Sequence, residues 1–148
     1  MAGTTYYFRM VGSDGTAFGT YKNYPTLTVS ASGTTNGEVT SIIYDTGSST
    51  GSQLNSFYWS GPQPQTGDMV KFQFASASTT NPIGGWNTQF KGPDGTAATW
   101  YVPSGPNIST TITPDNHQNH RYFRYKIRLD DSSGISPVVN RMVINWSP

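Results

Sequence analysis

The chain has 148 residues, a net charge of +1, no cysteine and only 11% charged side chains, against a globular average of about 25%. That length holds one domain with a real core and is short for two. The charge balance gives no reason to expect a polyanion partner, and the lack of cysteine excludes a disulfide framework, a thiol nucleophile and a thiolate metal site.

Residues 4–11 alternate, with Tyr6, Phe8 and Met10 against Tyr7, Arg9 and Val11, which is the period of a half-buried strand. Gly12-Ser13-Asp14-Gly15 is a turn signal. Residues 16–21 and 25–30 continue as one interrupted strand with Leu27 and Val29 inward, so 4–30 is predicted to be an N-terminal β-hairpin. Residues 31–37 are a small polar linker, the best candidate boundary. A two-stranded ribbon is unstable alone, so the hairpin is expected either to add strands to the domain C-terminal to it or to mediate self-association with another copy.

Residues 38–44 predict a strand and 45–52 a loop. In 54–60, Leu54 and Trp59 are candidate core residues of opposite parity, which predicts a bulge. The stretch Gly61-Pro62-Gln63-Pro64-Gln65-Thr66-Gly67-Asp68 is too rich in Pro and Gly for regular structure. Residues 69–75 form a strand with Val70, Phe72 and Phe74 inward and Lys71 and Gln73 outward. Residues 76–91 are a long loop carrying Trp86 and Phe90, and Gly92-Pro93-Asp94-Gly95 is a turn. Strands are predicted at 96–102 and 108–113, with a polar loop at 114–119.

The clearest alternation comes last. In 120–129, Phe123, Tyr125, Ile127 and Leu129 share one face, and Tyr122, Arg124, Lys126 and Arg128 share the other. That is an antiparallel strand, apolar inward and cationic outward. Asp130-Asp131-Ser132-Ser133-Gly134 turns the chain into a final strand at 137–146. About nine short strands with turn signals between them, and no helical periodicity of useful length, predict an all-β fold: an antiparallel β-sandwich over 38–148, jelly-roll-like, preceded by the hairpin.

Two resemblances carry further expectations. The blocks Ile43-Tyr44-Asp45-Thr46-Gly47, Phe57-Tyr58-Trp59-Ser60, Val70-Lys71-Phe72-Gln73-Phe74-Ala75, Gly92-Pro93-Asp94-Gly95-Thr96, Asn119-His120-Arg121-Tyr122-Phe123-Arg124-Tyr125-Lys126, Ser136-Pro137-Val138-Val139-Asn140-Arg141 and Ile144-Asn145-Trp146-Ser147-Pro148 resemble a β-sandwich module of bacterial surface proteins and of prepilin-type (type IV pilin-like) exported proteins. More distantly they resemble the discoidin-type galactose-binding jelly rolls, many of which bind carbohydrate. The apolar N-terminal helix that anchors pilins is not in these residues. Thr4-Thr5-Tyr6-Tyr7-Phe8-Arg9, Gly15 and Tyr24-Pro25-Thr26-Leu27-Thr28-Val29 resemble the last two strands of a fibronectin type III domain. These resemblances imply an extracellular or cell-surface location. No run approaches the roughly 18 apolar residues of a membrane span, so this chain is expected to make no membrane contact itself, and any export signal is expected outside it.

Weighed against chemistry, the residues favour a non-enzyme. The acidic residues nearly all stand beside Gly, Ser, Pro or Asn, where Asp serves turns. A hydrolase would need two positioned carboxylates, and no Gly-x-Ser-x-Gly elbow is present. His117 and His120 with Asp115 suggest a metal, but zinc needs three or four ligands, and a polar loop is the simpler reading. Asp130 and Asp131 offer oxygens to a structural calcium, without the spacing of an established calcium loop. The outward Arg124, Lys126 and Arg128 would suit nucleic acid, but a solvated or edge-guarding strand face explains them better. The aromatics suggest more. An exposed Trp86 beside Asn87, or one of the adjacent Trp100 and Tyr101, would give a sugar ring an apolar platform with polar neighbours; the competing expectation is that Trp86 folds back as a plug. The sequence therefore predicts a structural or adhesive surface module first, a carbohydrate-binding module with a glycan partner second, and a hydrolase remotely.

Overall fold

The computed structural model describes residues 36–148 throughout, and before them only the backbone of five short strands. These are β1 (Thr4–Tyr6), β2 (Arg9–Met10), β3 (Gly12–Ser13), β4 (Lys22–Asn23) and β5 (Leu27–Val29). Antiparallel ladders join β1 to β5 and β2 to β4, as the alternation predicts for a hairpin. The predicted inward side chains there, and most of the 31–37 linker, lie outside the described residues. The linker is shorter than expected, because Asn36 and Gly37 already belong to a strand.

From that point the strands are β6 (Asn36–Thr40), β7 (Tyr44–Asp45), β8 (Gln53–Ser60), β9 (Met69–Ala77), β10 (Thr110–Thr111), β11 (Tyr122–Asp130) and β12 (Arg141–Ser147). Helical structure among the described residues is confined to short 3-10 turns at Trp86–Gln89 and Pro114–Asn116. The fold is all-β. One sheet runs β10-β8-β12-β3, and the other has β11 between β9 and the pair β6 and β7. Pairing is antiparallel except where β3 lies parallel to β12 at Ile144 and Asn145, so the N-terminal segment does add a strand here.

One apolar core joins the two sheets. Phe123, Tyr125, Ile127 and Leu129 of β11 are all buried on one face, as their period requires, and meet Val70, Phe72 and Phe74 of β9 and Leu54, Phe57 and Trp59 of β8. Phe57 sits at the centre, its ring centroid 4.9 Å from both Phe72 and Phe74 and 6.0 Å from Tyr101. The parity conflict in β8 is resolved by a bulge: Asn145 pairs with Ser56 and Trp146 with Leu54, so Asn55 stands outside the register. A second break splits 38–44 into β6 and β7, where the Ser41 hydroxyl accepts the Tyr125 N–H and Arg124 binds the Ser41 carbonyl.

Three expectations need correction. Residues 96–102 are not a strand: only Tyr101 bridges, exchanging both backbone hydrogen bonds with Phe72 at 2.9 Å. The strand predicted at 137–146 starts at Arg141; before it only Asn140 reaches β8, its N–H donating to the Ser60 carbonyl at 2.8 Å. Gln73 faces outward but is only 2% exposed, its amide donating to the Ala97 and Thr99 carbonyls, so the outer face of β9 is covered. Phe57→Ala should cost about 3–5 kcal/mol, a large share of the roughly 5–15 kcal/mol that holds a domain together. Urea unfolding checks this, and a cost below about 1 kcal/mol would mean the aromatic centre is not what couples the sheets.

Candidate functional site

The cationic face of β11 is the first candidate surface, and the structure covers much of it, leaving its cations half-buried. The chain between β9 and β10 folds back over the outer face of the sheet, placing Trp86 and Phe90 against Ala75 and Ala77. Arg124 lies 5.9 Å from the Trp86 ring centroid, Lys126 4.6 Å from Phe90, and Arg128 5.9 Å from Trp100, all within cation–π range. Arg128 also pairs with Asp130 at 2.7 Å, and Glu38 lies 3.7 Å from Arg128 and 3.9 Å from Lys126. A phosphate backbone would find each of these cations engaged.

That arrangement also decides where the predicted sugar-contacting residues stand. Trp86 is 9% exposed, its indole N–H donating to the Thr80 carbonyl at 2.9 Å. It covers a sheet face rather than plugging an end. Tyr101 is buried in the core, its hydroxyl accepting the Thr113 N–H. Trp100 is half-buried over Arg128, and Asn87 is exposed. The adjacent pair therefore does point two ways, but the outward ring already stacks on a cation.

The predicted calcium carboxylates do not fit a calcium. Asp130 faces two cations, Lys71 at 2.5 Å and Arg128 at 2.7 Å. Burial pushes its carboxyl upward, but those two partners outweigh it and hold it below the usual range. Asp131 accepts the Gly134 N–H and the Ser136 hydroxyl, closing the turn. Among the described residues no three of His, Asp or Glu come together as a metal site.

The histidines are not a solvated loop. His117 is fully buried, while Asp115 is exposed on the 3-10 turn. The Ser76 hydroxyl bridges both rings, 3.0 Å from His117 Nδ1 and 2.8 Å from His120 Nδ1. The other ring nitrogen of His117, Nε2, is buried with no partner among the described residues. An orphaned buried donor is rarer than an orphaned acceptor. We therefore assign His117 Nδ1–H as donor to Ser76, Ser76 as donor to His120, and a bare His117 Nε2. Burial first, then the charges of Lys91 and His120, lower the His117 pKa from 6.5 to about 3. A strand that ends at Ala75 leaves Ser76 out of the sequence-based site. The signal that places it there is its parity with Val70, Phe72 and Phe74.

The remaining site is a cleft of about 330 Å³ at one end of the sheets. Its floor includes Trp59 and Val70, its walls the arm Gln63-Pro64-Gln65-Thr66 and the segment Pro103-Ser104-Gly105. Local sequence builds it. A side chain at Gly61 would put Cβ within 2.1 Å of the Val138 carbonyl, so only glycine lets the arm leave β8 there, and the prolines of the arm cannot extend the ladder. At the arm's far end Asp68 accepts the Ser132 and Ser133 N–H groups at 2.8 and 3.0 Å, and the Ser133 hydroxyl at 2.8 Å. The Ser132 N–H foremost holds this carboxyl below its ordinary range. The opposite wall is tied down where the Asn107 N–H meets the Trp59 carbonyl at 2.6 Å. The side chains of Gln63, Gln65, Thr66 and Ser104 make no hydrogen bond among the described residues. Asp68 is the one charged residue in the lining. The arrangement can bind by hydrogen bonding but offers no acid–base pair.

Compared with known proteins, the chain matches no family model, no curated protein and no solved structure.

Trp86→Ala should lower stability by about 3 kcal/mol, the low end for a buried Trp, and expose 78–100 to protease; an unchanged urea midpoint would contradict its role as a cover. Keeping His117 neutral contributes stability that is complete above pH 6.5 and is lost as pH falls to about 3, because the unfolded chain takes up the proton first. Unfolding free energy should therefore fall across that window, by up to about 1.4 kcal/mol per pH unit, and less steeply in His117→Asn. Equal slopes in the two proteins would rule this out.

Proposed function

We propose that this chain is a non-catalytic structural or adhesive module of a bacterial cell-surface or pilin-like protein, working outside the cell. In this reading the two sheets form a jelly-roll-like β-sandwich related to the surface-protein module that its sequence blocks resemble, and 4–29 is the end of a fibronectin III-like unit. The observation that carries it is the closed outer face of the β9–β11 sheet, where three cations are each matched to an aromatic ring. Side chains with reactive potential are spent on architecture: Asp45 on Arg121, Asp68 on two serines, Asp94 on Thr96 and Thr99, Asp130 on Lys71 and Arg128. A carboxylate held ionised by its neighbours is a poor general acid at neutral pH. The low charge and the Thr, Ser, Gly and Asn of the surface suit a secreted or surface-exposed protein.

The purified chain should turn over no nitrophenyl ester, glycoside or phosphate. Turnover that a single side-chain replacement abolishes would sink the non-catalytic reading. Protease shaving of intact source cells tests the location: peptides of this chain should be released without lysis, and their retention until lysis would refute it.

A further inference from the structure

We propose that the segment 113–120 is an acid-operated latch, held shut at neutral pH by the Ser76 hydroxyl on the His120 ring and released when that ring takes up a proton. The segment connects the two sheets and is fastened to both. Just before β8, Ser52 and His120 exchange both backbone hydrogen bonds, at 3.0 and 3.2 Å, and the Leu54 N–H donates to the His117 carbonyl at 3.0 Å. At the end of β9, the Ser76 hydroxyl lies 3.0 Å from His117 Nδ1 and 2.8 Å from His120 Nδ1. That one hydroxyl is the whole side-chain hydrogen bonding of both rings among the described residues.

The direction of these bonds makes His120 the sensor. With His117 donating to Ser76 and Ser76 donating to His120, the one basic nitrogen of His120 is Nδ1, the atom that holds the hydroxyl. A proton there turns the acceptor into a donor. Ser76, 5% exposed, then faces two N–H groups while its own hydrogen has no acceptor, a loss that a buried hydroxyl feels in full. His117 is less reachable, because its basic nitrogen, Nε2, is fully buried, whereas His120 is half-buried.

The surroundings oppose that proton and favour opening once it arrives. β8 and β9 meet the segment through Ser52 and Ser76, neither of them charged. Lys91, bridged through its backbone to Phe74, acts on both rings, and His120 acts on His117. No carboxylate compensates: Asp115 is exposed on the 3-10 turn, and Asp45 is held by Arg121. Burial first, then Lys91, lower the His120 pKa from 6.5, so the closed form is fully favoured above that pH and loses ground as pH falls below it. The backbone is strained as well. Asn119 is left-handed, with φ 59, and Gly51 packs so closely that a Cβ there would stand 2.4 Å from the Asn119 carbonyl carbon. Such a conformation persists only while its neighbours hold it. Opening lifts the His117 ring from its edge contact with Phe74, 6.2 Å between centroids, and leaves the long ladders of β8, β9, β11 and β12 intact.

The test uses the full chain and amide hydrogen exchange read by mass spectrometry, corrected for the pH dependence of exchange itself. Exchange in 113–120 should rise about tenfold or more between about pH 7 and about pH 5, while β8, β9, β11 and β12 keep their protection, and neutralisation should restore it. His120→Gln, whose side-chain carbonyl still accepts from Ser76, should abolish the rise. Lys91→Gln, which removes the opposing cation, should move the rise to higher pH. Should His120→Gln fail to fold, Lys91→Gln decides alone. The proposal is overturned if the corrected exchange of 113–120 is the same at both pH values, if the four strands open together with it, if His120→Gln opens in acid as the parent does, or if Lys91→Gln leaves the midpoint where it was.

Discussion

Strand β11 lies in the middle of its sheet with cations along one face, and the rest of the molecule is arranged around that fact. Its apolar face is satisfied by the shared core. Its other face, carrying Arg124, Lys126 and Arg128, needs partners that tolerate reduced hydration. A row of carboxylates would have satisfied the charge, but the chain holds one Glu and seven Asp, most of them closing turns. Glu38 and Asp130 meet part of it, and the long connection after β9 supplies aromatic faces besides. Rings attract a cation without being charged themselves, and the aliphatic stems of Arg and Lys pack against apolar surface. A chain of low net charge thereby covers a cationic strand with few acids, Glu38 and Asp130 meeting Lys126 and Arg128 while rings lie over the rest of the face.

The same covering explains why parts of the fold were legible in the sequence and parts were not. β8, β9, β11 and β12 could be read because each buries alternate residues in one core, and a period of two survives in the sequence wherever that holds. The bulge at Asn55 was legible as a parity conflict between Leu54 and Trp59. The stretch 96–102 failed for the opposite reason. Its Thr, Trp and Tyr have high β-propensity, which measures fit to a half-buried pleated surface. Here that surface is the back of another sheet, and the segment lies over Gln73 as irregular chain. Sequence periodicity carries no mark of a loop that lies on a strand's outer face, so Gln73 read as solvated and Trp86 as an end plug or a platform rather than a cover for the sheet.

The histidines and the cleft show a second limit. Ser76 and His117 meet across 41 residues, and nothing local announces such a meeting. What was available was parity: Ser76 continues the inward series of β9, and a hydroxyl carried into a core needs polar company. The cleft was hidden differently. Its arm, Gln63-Pro64-Gln65-Thr66, reads as a structureless connection because proline forbids a ladder. Pro64 also removes backbone freedom there. A segment without regular structure can still line a cleft.

Across the described surface, then, polar groups divide into two populations. Charged ones are largely tied to one another or to rings, while the cleft gathers neutral ones that are tied to nothing. Recognition built on neutral groups has a predictable character. Each hydrogen bond to a ligand replaces one to water, so its net worth is small, and a shallow cleft excludes water incompletely. There is also little long-range field to raise the encounter rate, because net charge and exposed charge are both low. Carboxylates held ionised by their neighbours, as Asp45, Asp68, Asp94 and Asp130 are, contribute order to the loops and strand ends they join rather than protons to a reaction.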